Sequence, residues 1–296
     1  MLLHNNYWVT KMKKYRLGVL NPKTLEKLEE IQPFEYARKE PLKRLNYILG
    51  FIKERNPDSL AQFVKTLEEK YKTLVKEDII TEKKIDVKDV FADFAFLEKY
   101  SSLAKISLNY YLQLHEIPDN VNWKKDKIKI PSRNQLLSFL HPRYYNLISL
   151  IETIGREDAI KLYKQYVTHY FIEGRKGRES TVPDVKTLFE NRIKPKEEPS
   201  DWVIVTALLS EGKYAYKNEN CMWVEALKDL PDSEIKYYIC CYGDYEGVKF
   251  RNENFVFTME HTIAQGDPYC SRVIHDTRVD YDLRHPPKEF WDKFNP

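Results

Sequence analysis

Apolar residues recur at three- and four-residue spacing along much of the first 115 residues, a pattern that indicates amphipathic helices. The clearest stretches are LKRLNYILGFIKER, SLAQFVKTLEEKYKTLV and VKDVFADFAFLEKYSSLAKISLNYYLQL. The tract EIPDNVNWKKDKIKIPSRN, residues 116–134, breaks the pattern with two prolines and a basic run, and we interpret it as a linker. Two more helices are predicted near 135–154 and 156–174. The chain therefore begins with a helical region, which we place at residues 1–130.

The pattern changes after about residue 200. DWVIVTALLSEG is predicted to be a helix ending at Gly212, and KYAYKNENCMW a strand rich in tyrosine. DSEIKYYICCYGD predicts a short helix with Asp232 or Ser233 as its N-cap. ENFVFTMEHTI and YCSRVIHDTR predict two strands joined by the turn AQGDP, while the polar tract before residue 200 is predicted to be an exposed connection. The expected fold class is thus α+β: a helical N-terminal region, then an α+β domain at 131–296 with a small antiparallel sheet.

Composition narrows the classes of partner. The 48 basic and 45 acidic residues leave a net charge of +3, without the strong positive excess of a dedicated nucleic-acid-binding protein. The start, MLLHNNYWVT, lacks the pattern of a signal peptide, and the longest apolar run, WVIVTALL, is far shorter than the roughly 20 residues that cross a bilayer. We therefore expect a cytoplasmic protein that binds neither nucleic acid nor a membrane.

The four cysteines all lie in the last third of the chain, and in the cytoplasm we expect them to be thiols. Their spacing contains no C-x-x-C pair of the kind that binds zinc. We therefore expect no metal site and no cofactor.

The segment HTIAQGDPYC places a histidine and a cysteine on two strands of one predicted hairpin. If the turn is residues 264–267, His261 lies opposite Cys270, and the imidazole would lower the pKa of the thiol. If the turn is one residue longer, His261 faces Ser271 and the thiol is inert. A slip of one residue exchanges the two faces, so the sequence leaves both registers open.

Two carboxylates near this hairpin also have alternative interpretations. Asp244 lies three residues after Cys241 at the predicted end of the short helix, either as a general base for water or simply as a residue after a helix terminus. Gly266 and Asp267 suit a tight turn, in which glycine adopts positive φ and aspartate bonds its own backbone.

Three segments taken in order resemble the L-2-amino-thiazoline-4-carboxylic acid hydrolase family, over roughly residues 135–280. The family pattern is a strand ending in Cys, then Cys-x-x-Asp, then a strand running into Thr-x-Ala-x-Gly-Asp-x-x-Cys. The corresponding residues here are Cys221, Cys241, Asp244, Thr262, Ala264, Gly266, Asp267 and Cys270. Family members tend to have Asp-Phe-Arg after the last cysteine, where this chain has Ser271, Arg272 and Val273.

The resemblance implies a metal-independent hydrolase of a small cyclic amidine or thiazoline, in which water adds at C=N and the ring C–S bond opens. From residue chemistry we assign Cys270 as nucleophile or transient acceptor, His261 as its base, and Asp244 or Asp267 as activator of water. Arg272 would bind a substrate carboxylate through its planar fork. The remaining residues assigned to substrate binding are Cys221, Cys241, Thr262 and Gly266.

The alternative hypothesis is a non-catalytic small-molecule-binding or scaffold protein with the same fold. Under both hypotheses the expected partner is a small molecule, and homo-oligomer formation is left open.

Overall fold

The computed structural model describes residues 12–82, 84–118, 120–196 and 200–296. The segment MLLHNNYWVT, on which the signal-peptide argument rests, lies outside the described residues. The strands are β1 Tyr15–Leu17, β2 Leu28–Ile31, β3 Ile128–Pro131, β4 Ile204–Ser210, β5 Lys213–Asn218, β6 Phe255–Met259 and β7 Cys270–Asp276. The α-helices are α1 Pro33–Ala37, α2 Lys43–Arg55, α3 Leu60–Leu74, α4 Ile79–Glu82, α5 Lys88–Phe91, α6 Ala95–Lys99, α7 Ser101–His115, α8 Ser132–Ile154, α9 Arg156–Arg175, α10 Val185–Ile193, α11 Met222–Ala226, α12 Ser233–Cys240, α13 Gly243–Arg251 and α14 Lys288–Asp292. Short 3-10 turns occur at Thr24–Glu26, Pro57–Ser59 and Ile263–Gln265, and a π-helical turn at Arg38–Leu42.

The α+β class is confirmed, and the described chain divides into two compact units. The helical unit contains Lys23–Tyr166 and Ala226–Leu230. The sheet unit contains residues 12–22, Val167–Glu225 and Pro231–Pro296. Each unit has its own core, so each is described by itself.

The helical unit is built around the amphipathic helices that the sequence predicts. Helices α3, α7 and α8 pack against one another. Their apolar stripes bury side chains such as Phe63, Leu67, Leu108 and Leu147. The predicted linker at 116–134 is wrong in part, because β3 lies within it and pairs antiparallel with β2. Ile128 and Ile130 alternate and are buried there. This alternating stretch is too short to be recognised in the sequence beside two prolines and a basic run.

The sheet unit holds a five-stranded sheet with the order β1-β4-β5-β7-β6, in which every neighbouring pair is antiparallel. The helix predicted for DWVIVTALLSEG is wrong, because this segment forms the inner strand β4. Apolar runs this short fit a buried strand and a buried helix equally well, and the β-branched residues at 203–206 favour the strand.

Two further predictions about local structure need correction. The tract predicted as an exposed connection contains α10, which Asp184 caps by accepting a 2.6 Å hydrogen bond from Thr187 N. The predicted short helix with Asp232 as N-cap is confirmed as α12, whose cap accepts from Ile235 N at 3.1 Å. However, α12 ends at Cys240, and Asp244 belongs to the first turn of α13.

Strand pairing gives the sheet two chemically different faces. One, here the arginine face, carries Tyr214 and Tyr216 of β5 beside Ile274 and Arg272 of β7. The other, the histidine face, carries Ser271, Val273 and His275 of β7. Residues of the C-terminal helix region cover the histidine face, where they form a core cluster of Val205, Ala207, Ala215, Tyr269, Val273, Trp291 and Phe294.

Candidate functional site

The candidate site is centred on Arg272, in the middle of the arginine face. Antiparallel pairing places Tyr216 of β5 on one side of Arg272 and Met259 of β6 on the other. The guanidinium group lies 5.8 Å from the centroid of the Tyr216 ring, a cation–π geometry. Only 13% of the Arg272 side chain is exposed, so its charge requires a partner inside the protein.

Asp244 provides that partner, with its Oδ2 2.9 Å from Nη1 of Arg272. It lies in the first turn of α13, where the helix dipole favours a negative charge. Burial raises the pKa of Asp244, while Arg272 and Arg251 act in the opposite direction. Burial, the largest single effect, lowers the pKa of Arg272, but Asp244, Tyr216 and the neighbouring thiols together outweigh it, so the net change is an increase. The site therefore contains a carboxylate that is more basic than an ordinary aspartate and is held by a permanent cation.

Three of the four free cysteines gather around the same arginine. Arg272 interacts electrostatically with Cys221, Cys241 and Cys270, and it forms a hydrogen bond with Cys270. Ile263 N donates a further bond to Cys270 Sγ at 3.3 Å. Burial raises the pKa of all three thiols, that of Cys221 to about 11. These thiols are therefore protonated at neutral pH, as in the second predicted register, whereas a histidine opposite Cys270 in the first register would lower the pKa of that thiol.

His261 is separated from Cys270 by a change of register between β6 and β7. The ladder keeps the first predicted register as far as the pair Met259 and Arg272. The next backbone bond, from Ser271 N to His261 O at 3.0 Å, is shifted by one residue, so Glu260 is an extra residue in this strand. His261 N also donates to Ser271 Oγ at 3.0 Å.

The shift moves His261 away from the arginine face. Its imidazole Nδ1 lies 3.5 Å from Asp267 Oδ1, and its ring packs edge-on against Tyr269 at 5.6 Å. Tyr269 belongs to the core cluster of the histidine face. The structure thus brings Cys221, Cys241, Cys270, Asp244 and Arg272 together, and it places His261 with Asp267 instead.

Thr262, Gly266 and Asp267 shape the loop between β6 and β7. Thr262 N donates to Asp267 Oδ2 at 2.8 Å, and Thr262 O accepts from the backbone N of Asp267 at 3.1 Å. Gly266 adopts φ of 100°, a left-handed conformation that suits glycine. Gly266 and Asp267 thus have the roles that a tight turn predicts: glycine at positive φ and an aspartate whose side chain accepts a backbone hydrogen bond.

A cavity of about 390 Å³ opens beside Asp244 and Arg272. The tyrosines of β5 and residues of α10 and α13 form its wall, and the three cysteines are not among the described residues of that wall. The lining residues are Leu188, Asn191, Arg192, Lys196, Tyr214, Tyr216, Asp244, Gly247, Val248, Arg251, Arg272 and Ile274.

Sequence analysis missed Arg192, Arg251 and the two tyrosines as site residues. Arg192 Nε donates to Tyr214 Oη at 3.4 Å, and its guanidinium lies 5.3 Å from the Tyr216 centroid. Tyrosine alternation in KYAYKN was a usable signal, because it places both rings on one face of a strand. Arg192 gave no such signal, since its helix was interpreted as a loop.

The histidine face carries a separate chain of hydrogen-bonded side chains. Ser271 Oγ lies 2.9 Å from His285 Nε2, and His285 Nδ1 lies 2.9 Å from Thr258 Oγ1. Thr258 Oγ1 is in turn 3.2 Å from His275 Nε2, and His275 Nδ1 is 2.7 Å from Asp280 Oδ2. Ser271 and His275 are completely buried. The chain therefore connects β6, β7 and the C-terminal segment through side chains alone.

The described residues contain neither a cluster of metal ligands nor a helix that could cross a membrane. In the described ranges, no three side chains among His, Cys, Asp and Glu converge in a way that could hold a metal ion. Among the described helices, none combines the length and the apolar character that crossing a bilayer requires.

Comparison with known proteins identifies one related family. No curated protein and no solved structure matches the chain. The model of the L-2-amino-thiazoline-4-carboxylic acid hydrolase family matches residues 142–273. This range contains Asp244, Arg272 and the other polar residues of the cavity wall. The resemblance to the family is thus confirmed for somewhat less than half of the chain, and that part includes most of the candidate site.

Proposed function

We propose that this protein is a hydrolase of a small cyclic amidine or thiazoline-type acid, which binds in the cavity beside Asp244 and Arg272. The observation that carries the proposal is the position of this ion pair. It lies in a cavity of small-molecule size, within the residues that match a hydrolase family. Among the lining residues that the structure describes, Asp244 is the one carboxylate, so it is the group best placed to activate water.

In the proposed reaction, Asp244 accepts a proton from a water molecule as the water oxygen bonds to C2 of the ring. The C=N nitrogen takes up a proton, and the C2–S bond then breaks. The departing sulfur takes the remaining proton and becomes a free thiol, while C2 becomes a carbonyl. The net change is the addition of one water molecule, and a thiazoline carboxylic acid yields an N-carbamoyl cysteine.

Water rather than a thiol is the nucleophile in this proposal. Cys270 is buried, burial raises the pKa of its thiol, and the imidazole of His261 lies against Asp267 instead. We therefore expect Cys270→Ser to keep turnover within about threefold of the parent. A folded Cys270→Ser variant without turnover would instead support the nucleophile assignment made from the sequence.

The direct test is incubation with 2-amino-thiazoline-4-carboxylic acid, followed by mass spectrometry and by titration of the released thiol. We expect a product heavier by one water molecule and one new thiol per turnover. Asp244→Asn should slow this reaction at least 100-fold, within the range for loss of a general base. Glu246→Gln is the matched control, because Glu246 lies on the same helix, binds Thr168 and is outside the cavity wall.

A cavity that binds the compound without releasing thiol would favour the alternative, a small-molecule-binding protein of the same fold. The raised pKa of the three thiols is compatible with that outcome, since it leaves no reactive thiolate near Arg272. Binding and turnover must therefore be measured separately on the same preparation.

A further inference from the structure

The cavity wall carries far more positive than negative charge. Its lining includes the cations Arg192, Lys196, Arg251 and Arg272, and the carboxylate Asp244. Asp244 forms an ion pair with Arg272 and so balances one of the four positive charges. Within the described part of the chain, neither Arg192 nor Arg251 has an ion-pair partner. The described residues of the wall therefore carry an excess of about three positive charges.

The two arginines nearest the tyrosines are held in fixed positions. Arg192 and Arg272 both lie against the Tyr216 ring, at 5.3 and 5.8 Å from its centroid. Tyr214 stacks on Tyr216 at 5.3 Å and accepts a hydrogen bond from Arg192 Nε. The tyrosines contact the guanidinium groups without neutralising them. Their placement thus fixes two cations while the positive charge of Arg192 stays available to a ligand.

Arg251 adds a third guanidinium group, from α13. It is close enough to Asp244 to act on the pKa of that carboxyl, after burial and Arg272. A guanidinium fork forms two parallel hydrogen bonds with a carboxylate or a phosphate. Arg192 and Arg251 therefore provide two such forks in one cavity, on two different helices.

We propose that the natural ligand of this cavity is a small molecule with a total charge of at least −2, as two carboxylates or as a phosphate group. A ligand with one carboxylate would leave two uncompensated cations beside it. A doubly charged ligand would leave one uncompensated positive charge, and Lys196, which is exposed to water, can carry it. This inference rests on the proposed function, because it names the substrate class of the same cavity. It implies a ring substrate that carries one more acidic group than a simple thiazoline carboxylic acid.

The test is calorimetric binding of matched anions to the full chain at low ionic strength. Glutarate is compared with monomethyl glutarate, which has the same skeleton and one charge fewer, and propyl phosphate provides the phosphate arm. We expect glutarate or propyl phosphate to bind at least tenfold more tightly than monomethyl glutarate. The stronger of the two then identifies the acidic group. Equal affinities for all three, or no binding by any of them, would overturn the proposal.

Variants locate the second charge. Arg192→Gln and Arg251→Gln should each reduce the preference for the doubly charged probe to threefold or less. The controls Lys186→Gln and Lys249→Gln remove a charge from the same two helices outside the cavity wall, and should leave the preference unchanged. A preference that survives in both arginine variants also overturns the proposal. Arg251 is exposed, so its variant remains informative if replacing Arg192 disturbs the fold.

Because these measurements need no turnover, they separate the two proposals. Failure of thiazoline hydrolysis together with tight binding of a doubly charged probe refutes the hydrolase and leaves the ligand class intact. Hydrolysis together with equal binding of all probes does the reverse.

Discussion

Acid should loosen the sheet unit through the hydrogen-bonded chain on the histidine face. In this hydrogen-bonded series every donor meets one acceptor if His275 donates from Nδ1 to Asp280 and the Thr258 hydroxyl donates to Nε2 of His275. His285 then donates from Nδ1 to Thr258, and Ser271 donates to His285. A proton added to His275 Nε2 would leave the hydroxyl proton of Thr258 without its acceptor. Protonation of either imidazole therefore breaks the sequence of donors and acceptors.

The magnitude follows from His285. Burial, followed by the neighbouring His261 and His275, lowers its pKa from 6.5 to about 4. Burial also lowers the pKa of His275, although Asp280 opposes this effect. Lys213, 3.6 Å from Asp280, acts in the same direction as burial. A histidine whose folded pKa is depressed stays neutral while the unfolded chain takes up a proton, so stability is present above about 6.5 and falls as pH drops toward 4.

A difference of two to three pKa units corresponds to about 3 kcal/mol, and partial exposure of His285 reduces this to about 2 kcal/mol. The measurement is native-state hydrogen exchange of peptides covering residues 271–292, at pH 7.0, 6.0, 5.0 and 4.5. The wild-type opening free energy should fall with pH by about 2 kcal/mol more than that of His285→Gln. His169→Gln is the control, because His169 belongs to the same unit but not to the hydrogen-bonded series of side chains on the histidine face. Identical pH slopes for wild type and His285→Gln would refute the reasoning.

Two predictions concern stability at other positions. Gly18→Ala should lower the free energy of unfolding by at least about 2 kcal/mol, because a Cβ at this positive φ would overlap Trp202 O. Gly155→Ala has a similar φ with open space around it and should cost about 1 kcal/mol, so equal losses in thermal unfolding would contradict the clash argument. His115→Leu should raise the free energy of unfolding, and with it the urea midpoint; the gain in free energy should be about 1 kcal/mol at pH 7 and more at pH 5. Both ring nitrogens of His115 are buried without a hydrogen-bond partner among the described residues, and burial lowers the pKa of His115 to about 3. A lower midpoint for His115→Leu at both pH values would show that the ring contacts with Tyr111 outweigh the buried nitrogens.

The sequence predicts the elements whose formation depends on residues close together in the chain, through apolar periodicity and helix capping. The long helices carry their apolar stripes in the sequence, and Asp232 identifies the start of α12. The strand β4 escaped prediction because its burial on both faces removes the alternation that identifies a strand.

The candidate site was predictable only in part for a related reason. Asp244 and Arg272 have chemistry that is visible in the sequence, whereas the meeting of the two depends on the junction between α12 and α13. The separation of His261 from Cys270 depends on the single extra residue Glu260, whose position is set by how the β6–β7 loop closes. The wall residue Arg192 belongs to the site only because α10 packs on β5.

The edge strand β1 has a consequence for the order of events during protein synthesis. It pairs with β4, which lies about 190 residues later in the chain. At translation speeds of about 5–20 residues per second, β1 waits for roughly 10–40 s before its partner has been made. Residues 23–166 are complete about 40 residues, or roughly 2–8 s, before β4 has been made. The speed of the ribosome, rather than the strength of any contact, therefore sets how long Tyr15–Leu17 is available to chaperones and to the edge strands of other chains.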